Sequence, residues 1–407
     1  MAKDTPSNRS EVTPRRDTTR IRKPSARDTD RIRPSRPLRI ALFAPQTQLD
    51  GITLYTRALA RCLLESGNEV LLVAQEGKQA ETIEVEVPNW HRLPAGRPLG
   101  FFGWRRLRDA LREFGPDLVH AVEPSPSLHA VRAADMLACQ VAVSVHGIRP
   151  EETPVPGDTD FDAYIASDQA VRATLLNECR LERTRTTLIP DCAFAESPPN
   201  PRDLTDTRKR AVIGWIGPLN AGSDYRSFVE AALKVSAQGH DAMFSILGDG
   251  PESPQVRELI EARGLTPRIV VIDNLYDYSR VWQPFDVVVV DSRQRAAALM
   301  VLNAMANGRP VITSEGGAVF DLIKDGVDGL IVPREDAAAL AERILMLVQN
   351  PAERLRMAVA GYRKVEELYS PADMADALLS VYASMLAGEP LPKSVENRPR
   401  KAVRQGA

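Results

Sequence analysis

The stretch from Asp286 to Pro333 reads DVVVVDSRQRAAALMVLNAMANGRPVITSEGGAVFDLIKDGVDGLIVP. Asp286–Val290 is a short continuous apolar run, the pattern of a strand buried on both faces. A loop follows, then a helix over about Ala297–Asn307, a second strand over Pro310–Thr313, and the turn Glu315-Gly316-Gly317. Strand, loop, helix, strand is a βαβ unit. Its right-handed crossover puts the loop at the carboxyl edge of a parallel sheet. That edge, facing a helix N-terminus, is where doubly wound folds hold anionic ligands.

Working outward, the same alternation fills both halves of the 407-residue chain, which is long enough for two domains with full cores. Toward the N-terminus, Leu38–Pro45 is a buried-strand run, Gln46–Gly51 a loop, Ile52–Ser66 an amphipathic helix and Glu69–Ala74 a strand. Leu99–Phe114 has Phe102, Leu107, Leu111 and Phe114 spaced for one helix face. Asp117–Val122 and Gln140–His146 read as strands around a helix at Ser125–Leu137. In the second half, Ala211–Gly217, Ala242–Gly248 and Ile269–Asp273 read as strands, with helices over Asp336–Asn350, Pro351–Leu368 and Pro371–Ala387. The expected organisation is therefore α/β, two Rossmann-like domains at 38–197 and 211–370 facing across a cleft. Residues 198–210 form a linker with three prolines and no apolar period, and 371–387 form a terminal helix.

The ends differ in kind. Residues 1–37 carry eleven Lys/Arg against five Asp/Glu, and 388–407 carry five against two, which leaves the body at −11 within a total of −2. Both tails lack the apolar side chains that would offset ordering entropy, so they are expected to be disordered and basic. Such tails suit an anionic membrane surface or an acidic partner better than specific nucleic-acid recognition; solubilising ends are the plainer account. No apolar run approaches the length of a bilayer span and no signal-peptide core opens the chain. Cys62, Cys139, Cys179 and Cys192 are scattered without C-x-x-C spacing, and the histidines show no ligand spacing. We expect no metal, no cofactor, and a reducing cytoplasmic setting, peripheral at the inner membrane face if the tails bind lipid.

The stretch 286–333 also resembles the nucleotide-sugar half of family 4 glycosyltransferases, retaining enzymes of the GT-B fold. These read S-x-x-E-G-F-G-L-x-x-L-E-A-M-A-x-G-x-P-V-I, and Leu302 to Ile312 keep that frame. The family's two glutamates fall on Arg295 and Asn303. Its G-R-L-x-x-x-K-G element, whose Arg and Lys grip the donor diphosphate, begins here at Gly217 and places Pro218 and Ser223 at the cation positions. Gly248-Asp249-Gly250-Pro251-Glu252 matches a family strand and turn, and Gly316-Gly317 the family's G-G turn. In the first half, Gly51 stands at the family's first βα turn. His120, Glu123-Pro124 and Ser144-Val145-His146 are similar to the acceptor core of phosphatidylinositol mannosyltransferases. Phe161–Ser167 resembles a further first-domain element, and Asp191-Cys192-Ala193-Phe194 replaces the usual N-G-V-D.

The resemblance implies a donor site at Gly217, Pro218, Ser223, Gly248, Asp249, Arg295, Asn303, Gly316 and Gly317. It implies acceptor-side positions at Gly51 and Glu123, and His146 near the transferred sugar. At a strand end, an imidazole exchanges hydrogen bonds with a substrate hydroxyl or is satisfied by loop backbone. A nucleotide-diphosphate sugar is the implied substrate, and a glycan or lipid-linked molecule the acceptor. Charge-assisted hydrogen bonds are worth about 1.5–3 kcal/mol each, so losing both cations removes roughly 3–6 kcal/mol, or about two to four decades. Arg293, Arg295 or Arg226 reaching the phosphates from new positions is the compensating arrangement. Two readings stand side by side: a divergent glycosyltransferase of cell-surface glycan assembly, or a non-catalytic relative that binds a glycan or a partner glycosyltransferase. A GT-B epimerase is a distant third, since it too needs a phosphate cation.

Overall fold

In a computed structural model, residues 36–44, 51–75, 87–94, 99–124, 127–147, 161–194, 198–206, 210–273, 281–294, 296–316 and 319–392 are described. The first domain runs β1 (Arg39–Ala44), α1 (Gly51–Glu65), β2 (Glu69–Gln75), β3 (Trp90–Leu93), α2 (Phe101–Phe114), β4 (Leu118–Ala121), α3 (Ser127–Leu137), β5 (Gln140–Val145), β6 (Ala163–Ala166), α4 (Gln169–Asn177) and β7 (Thr186–Leu188). Its seven strands form one sheet in the order β3-β2-β1-β4-β5-β6-β7. Every pairing is parallel.

After a short helix α5 (Pro201–Thr205), the second domain runs β8 (Ala211–Ile216), α6 (Tyr225–Ala237), β9 (Ala242–Leu247), α7 (Ser253–Ala262), β10 (Ile269–Ile272) and β11 (Val287–Val290). It continues with α8 (Ala297–Ala306), β12 (Val311–Ser314), α9 (Val319–Leu322), β13 (Leu330–Val332), α10 (Ala337–Gln349) and α11 (Pro351–Leu368). Its six strands are ordered β10-β9-β8-β11-β12-β13, again all parallel. The two-domain parallel α/β architecture expected from the strand–helix alternation is the one present. Each sheet reverses its winding beside its first strand, at β1/β4 and β8/β11, and those carboxyl edges are where such folds bind ligands.

Sequence chemistry explains the elements. The strands are apolar throughout because both faces are covered; β11 is four valines, all buried. Helix starts are fixed by side-chain caps: Asp168 accepts from Val171 N, Asp224 from Ser227 N, and Asp336 from Ala338 and Ala339 N. The terminal helix α12 (Pro371–Ala387) leaves the second domain and packs into the first. Met374, Leu378, Val381, Tyr382 and Met385 join a core with Ile40, Leu59 and Leu72, and α1 is its neighbour. Fully burying each of its large apolar side chains is worth about 1.5–3 kcal/mol.

The linker expectation is refined, and further features add to the sequence reading. The 198–210 linker contains α5, whose Leu204 is fully buried and whose Leu204 carbonyl accepts from buried Arg354 Nε at 2.8 Å. The strand β3 and the helices α7 and α9 were not read from the sequence, and Cys139 is only half-buried, though Cys62 and Cys192 are buried. Residues 1–35 and 393–407, the bulk of both tails, lie outside the described residues. Among the described residues, no helix is long and apolar enough to cross a membrane, and no group of three His, Cys, Asp or Glu could hold a metal.

Candidate functional site

The two carboxyl edges meet where α1 begins. A Cβ at Gly51 would stand 2.7 Å from the Ala296 carbonyl oxygen and 2.8 Å from Leu299 Cβ, so only glycine lets α1 approach α8 this closely. Ala296 and Leu299 accordingly belong to the first domain's core. Ala296 itself has φ +60, a left-handed conformation that costs a non-glycine residue about 1 kcal/mol or more.

His146 sits just past β5 at this contact. Its ring lies 4.2 Å from the Tyr55 ring, and its Nδ1 is 2.6 Å from Asp191 Oδ1. His146 is 4% exposed and Asp191 6%, and the Nε2 atom is buried with no hydrogen-bond partner. With Nδ1–H donated to the carboxylate, Nε2 is left as the imidazole's open position. The second domain meets this strand end through Ala296, whose N lies 3.6 Å from where a Cβ at Gly147 would be. His146 is thus buried at the domain contact, beneath the start of α8. Gly51 and His146 are brought to this contact together, and Glu123 is buried past the end of β4.

Behind His146 runs a fully buried polar string. Tyr55 OH is 3.4 Å from Ser144 Oγ, Ser144 Oγ is 2.9 Å from His120 Nε2, and His120 Nδ1 is 2.5 Å from Tyr382 OH on α12. Burial pushes the His120 imidazole down to about 3, with the neighbouring His146 adding to the effect, so His120 is neutral. Burial raises the Tyr55 and Tyr382 phenols, which stay protonated.

At the second-domain edge, Gly217 and Gly248 nest: a Cβ at Gly248 would stand 1.9 Å from the Gly217 carbonyl oxygen. The Leu219 N–H donates to the Asp249 carbonyl, closing the two loops on each other. Pro218 and Ser223 share the β8–α6 loop, and there the Ser223 hydroxyl lies 2.6 Å from the Pro218 carbonyl and 2.9 Å from Asn220 Oδ1. Asn303, on α8, donates its amide to Leu299 O at 2.7 Å, one turn back on its own helix. Arg293 is caged by three carboxylates: Asp291 at 3.4 Å, Glu335 at 2.8 Å and Asp224 at 3.7 Å. Asp291 is also bound by Asp224 N, so this corner is acidic and already satisfied. Gly316 lies against Arg334 and Ser292, and Arg334 Nε donates to Glu315 O. Arg295 and Gly317 lie outside the described residues.

Three participants were not singled out in the sequence for what they do here. Asp191 was seen as a departure from N-G-V-D, but its pairing with His146 spans 45 positions. Tyr55 carried no signal beyond its place on an amphipathic helix. Gln294, 6% exposed, lies over Gly217 with both amide polar atoms buried and unbonded.

Comparisons with known proteins match both halves. The family described as Glycosyltransferase Family 4 matches residues 49–192, and Glycosyl transferases group 1 matches residues 210–350. An alpha-D-kanosaminyltransferase of Streptomyces kanamyceticus is 29% identical over 42% of this chain and 45% of that relative, so the match spans under half of its length. A GDP-mannose-dependent alpha-mannosyltransferase of Mycobacterium tuberculosis is 25% identical over 86% of this chain and 97% of that one. Among solved structures, Anabaena HepE in complex with UDP and glucose has a TM-score of 0.70 at 16% identity, covering 85% of this chain and 99% of that one. At that identity the likeness speaks for the fold alone.

Proposed function

Because the chain belongs to the family 4 glycosyltransferases of the GT-B fold, we propose that it is a member that keeps an acceptor-side edge but no longer transfers sugar from common nucleotide-diphosphate donors. In this reading it binds a glycan or lipid-linked acceptor as a non-catalytic partner in glycan assembly. One observation carries the reading: among the described residues, Ser223 and Asn303 at the family's donor positions are spent on their own loop or helix. Ser223 is held by Pro218 and Asn220, Asn303 by Leu299, and the nearby Arg293 by three carboxylates. Pro218 lacks even a backbone N–H to offer. A leaving diphosphate needs preorganised cations or N–H groups where its charge develops, and here they would first have to be freed.

Calorimetry with UDP- and GDP-linked sugars tests this. The unmodified chain should bind none of them with micromolar affinity. The variant Pro218→Arg/Ser223→Lys/Arg295→Glu/Asn303→Glu should recover measurable binding. Micromolar binding by the unmodified chain would overturn the reading.

The second reading, an active enzyme transferring with retention, is favoured by one feature: His146 keeps Nε2 unbonded at the domain contact. If the unmodified chain binds a nucleotide sugar, Arg295→Ala is the first substitution to make. A loss of about tenfold or more would identify a relocated phosphate contact.

A further inference from the structure

Gly217 follows β8 at the point where the second sheet reverses its winding, and it is enclosed in two different ways. On one side the enclosure is main chain. A Cβ at Gly248 would run into the Gly217 carbonyl oxygen, and one at Gly250 into the Leu219 carbonyl oxygen, so glycines let these loops nest. On the other side it is a single side chain. A Cβ at Gly217 would overlap Nε2, Oε1 and Cδ of Gln294, so the carboxamide lies on the bare face of the glycine. Gln294 is 6% exposed, and both polar atoms of its amide are buried with no hydrogen-bond partner among the described residues. Most buried side-chain polar atoms in folded proteins are bonded, and leaving one unbonded is costly. The Gln294 backbone, by contrast, is held: its N–H donates to the Asp291 carbonyl, and its carbonyl accepts from the Ala297 N–H. A fixed turn thus carries a side chain whose tip gains no hydrogen bond from the place it fills.

We propose that Gln294 is a built-in plug of the nucleotide-sugar edge: its amide occupies the face of Gly217 that a diphosphate would approach, and it must swing away before a nucleotide enters. The plug rests on the reading that this edge no longer takes common donors, and it adds a second barrier to the missing cations. A glycine at a strand end lets a phosphate come close to the main chain. The same missing Cβ lets the Gln294 amide come close instead. A carboxamide suits the place because it carries no charge, and burying it costs far less than burying an unpaired arginine or lysine. The obstruction is also displaceable, since it is the tip of a flexible side chain, whereas the Gly248 side is walled by main chain. Position 294 is one of the two unspecified places in S-x-x-E, so the plug belongs to this chain and not to the family frame.

Two substitutions at position 294 separate the plug from the missing cations. Gln294→Met, made in the otherwise unmodified chain, keeps the side chain's length and removes both unbonded atoms. It should raise the thermal midpoint by about 2–4 °C. Gln294→Ala instead uncovers Gly217, and its effect is read by calorimetry with UDP and GDP in the variant Pro218→Arg/Ser223→Lys/Arg295→Glu/Asn303→Glu. Adding Gln294→Ala to that variant should tighten nucleotide binding by about tenfold or more, and adding Gln294→Met should not. No gain on adding Gln294→Ala overturns the plug while leaving the donor-site reading to its own test. Weaker binding overturns it too, because the amide would then be a ligand contact. A lowered midpoint in Gln294→Met overturns it as well, since the amide would then be a bonded part of its loop. Micromolar nucleotide binding by the unmodified chain overturns the plug and the donor-site reading together.

Discussion

On the first-domain side of the contact, Asp191 and Tyr55 both hold one imidazole, and His146 keeps a nitrogen unbonded. On the second-domain side, Ser223, Asn303 and Arg293 are bonded to their own loop, helix or neighbouring carboxylates. Both edges are built on the same parallel-sheet plan, so backbone placement does not separate them. They differ in where hydrogen-bonding capacity is directed. One edge gathers Asp191 and Tyr55 around a single imidazole. The other bonds Ser223, Asn303 and Arg293 within itself and, among the described residues, leaves the Gln294 side chain unbonded over Gly217. The family frame of the second domain is present with Ser223, Asn303 and Arg293 bonded within it.

That contrast can be tested, beginning with the largest expected effect. His120 is neutral when folded, with its imidazole pushed down to about 3 from an ordinary 6.5. The unfolded chain binds this proton first, so stability present above about pH 6.5 should be lost as pH falls toward about 3, by on the order of 5 kcal/mol at full extent. Denaturant midpoints measured across that range should slope steeply, and His120→Asn should flatten the slope. An unchanged slope would mean the first-domain string is not the costly element described here.

Tyr382→Phe comes next. It strips His120 Nδ1 of its partner in a dry site and should cost about 1–3 kcal/mol by equilibrium unfolding. Gly51→Ala should cost a similar amount, about 1–3 kcal/mol, because the new methyl group meets backbone of the other domain. Small-angle scattering should show the domains moving apart in that variant, and an unaltered profile would sever Gly51 from the domain contact. The smallest effect belongs to Ser223→Ala, about 0.5–1.5 kcal/mol from loop hydrogen bonds, with no change in nucleotide-sugar affinity. If it costs as much as Tyr382→Phe, the two edges are equally braced and the comparison fails.

The fold was legible because its signals are local. Val287–Val290, Leu302–Ile312 and the strand at Ala211 declare themselves by composition and period within a few residues. What the sequence hid was set by distant partners or by short, mixed stretches. Trp90–Leu93 pairs with β2 although its own residues, WHRL, carry no strand period. Pro201–Thr205 has Leu204 as its one large apolar side chain, and the Arg354 that binds its backbone stands 150 positions away. At the site, the residue types at Pro218, Ser223 and Asn303 were plain from alignment to the family frame. Their inward hydrogen bonds were not, because a serine or asparagine reads the same whether it faces a ligand or its own loop. Asp191 could be named as a departure, but only the folded sheet, with β5 and β7 on either side of β6, makes it the partner of His146.

Helix α12 carries a consequence for how the protein is made. It follows the whole second domain in the chain, yet its Leu378, Val381 and Tyr382 complete the core of the domain that precedes it. The Tyr382–His120 contact closes a span of 262 positions. Nascent chains emerge at roughly 5–20 residues per second, and N-terminal domains ordinarily fold as they appear. This one must wait, with an apolar flank uncovered and His120 short of a partner, until the whole second domain has been translated. A chain ending before Pro371 should therefore accumulate as an open-flanked species held by chaperones, even though every strand of both sheets is present.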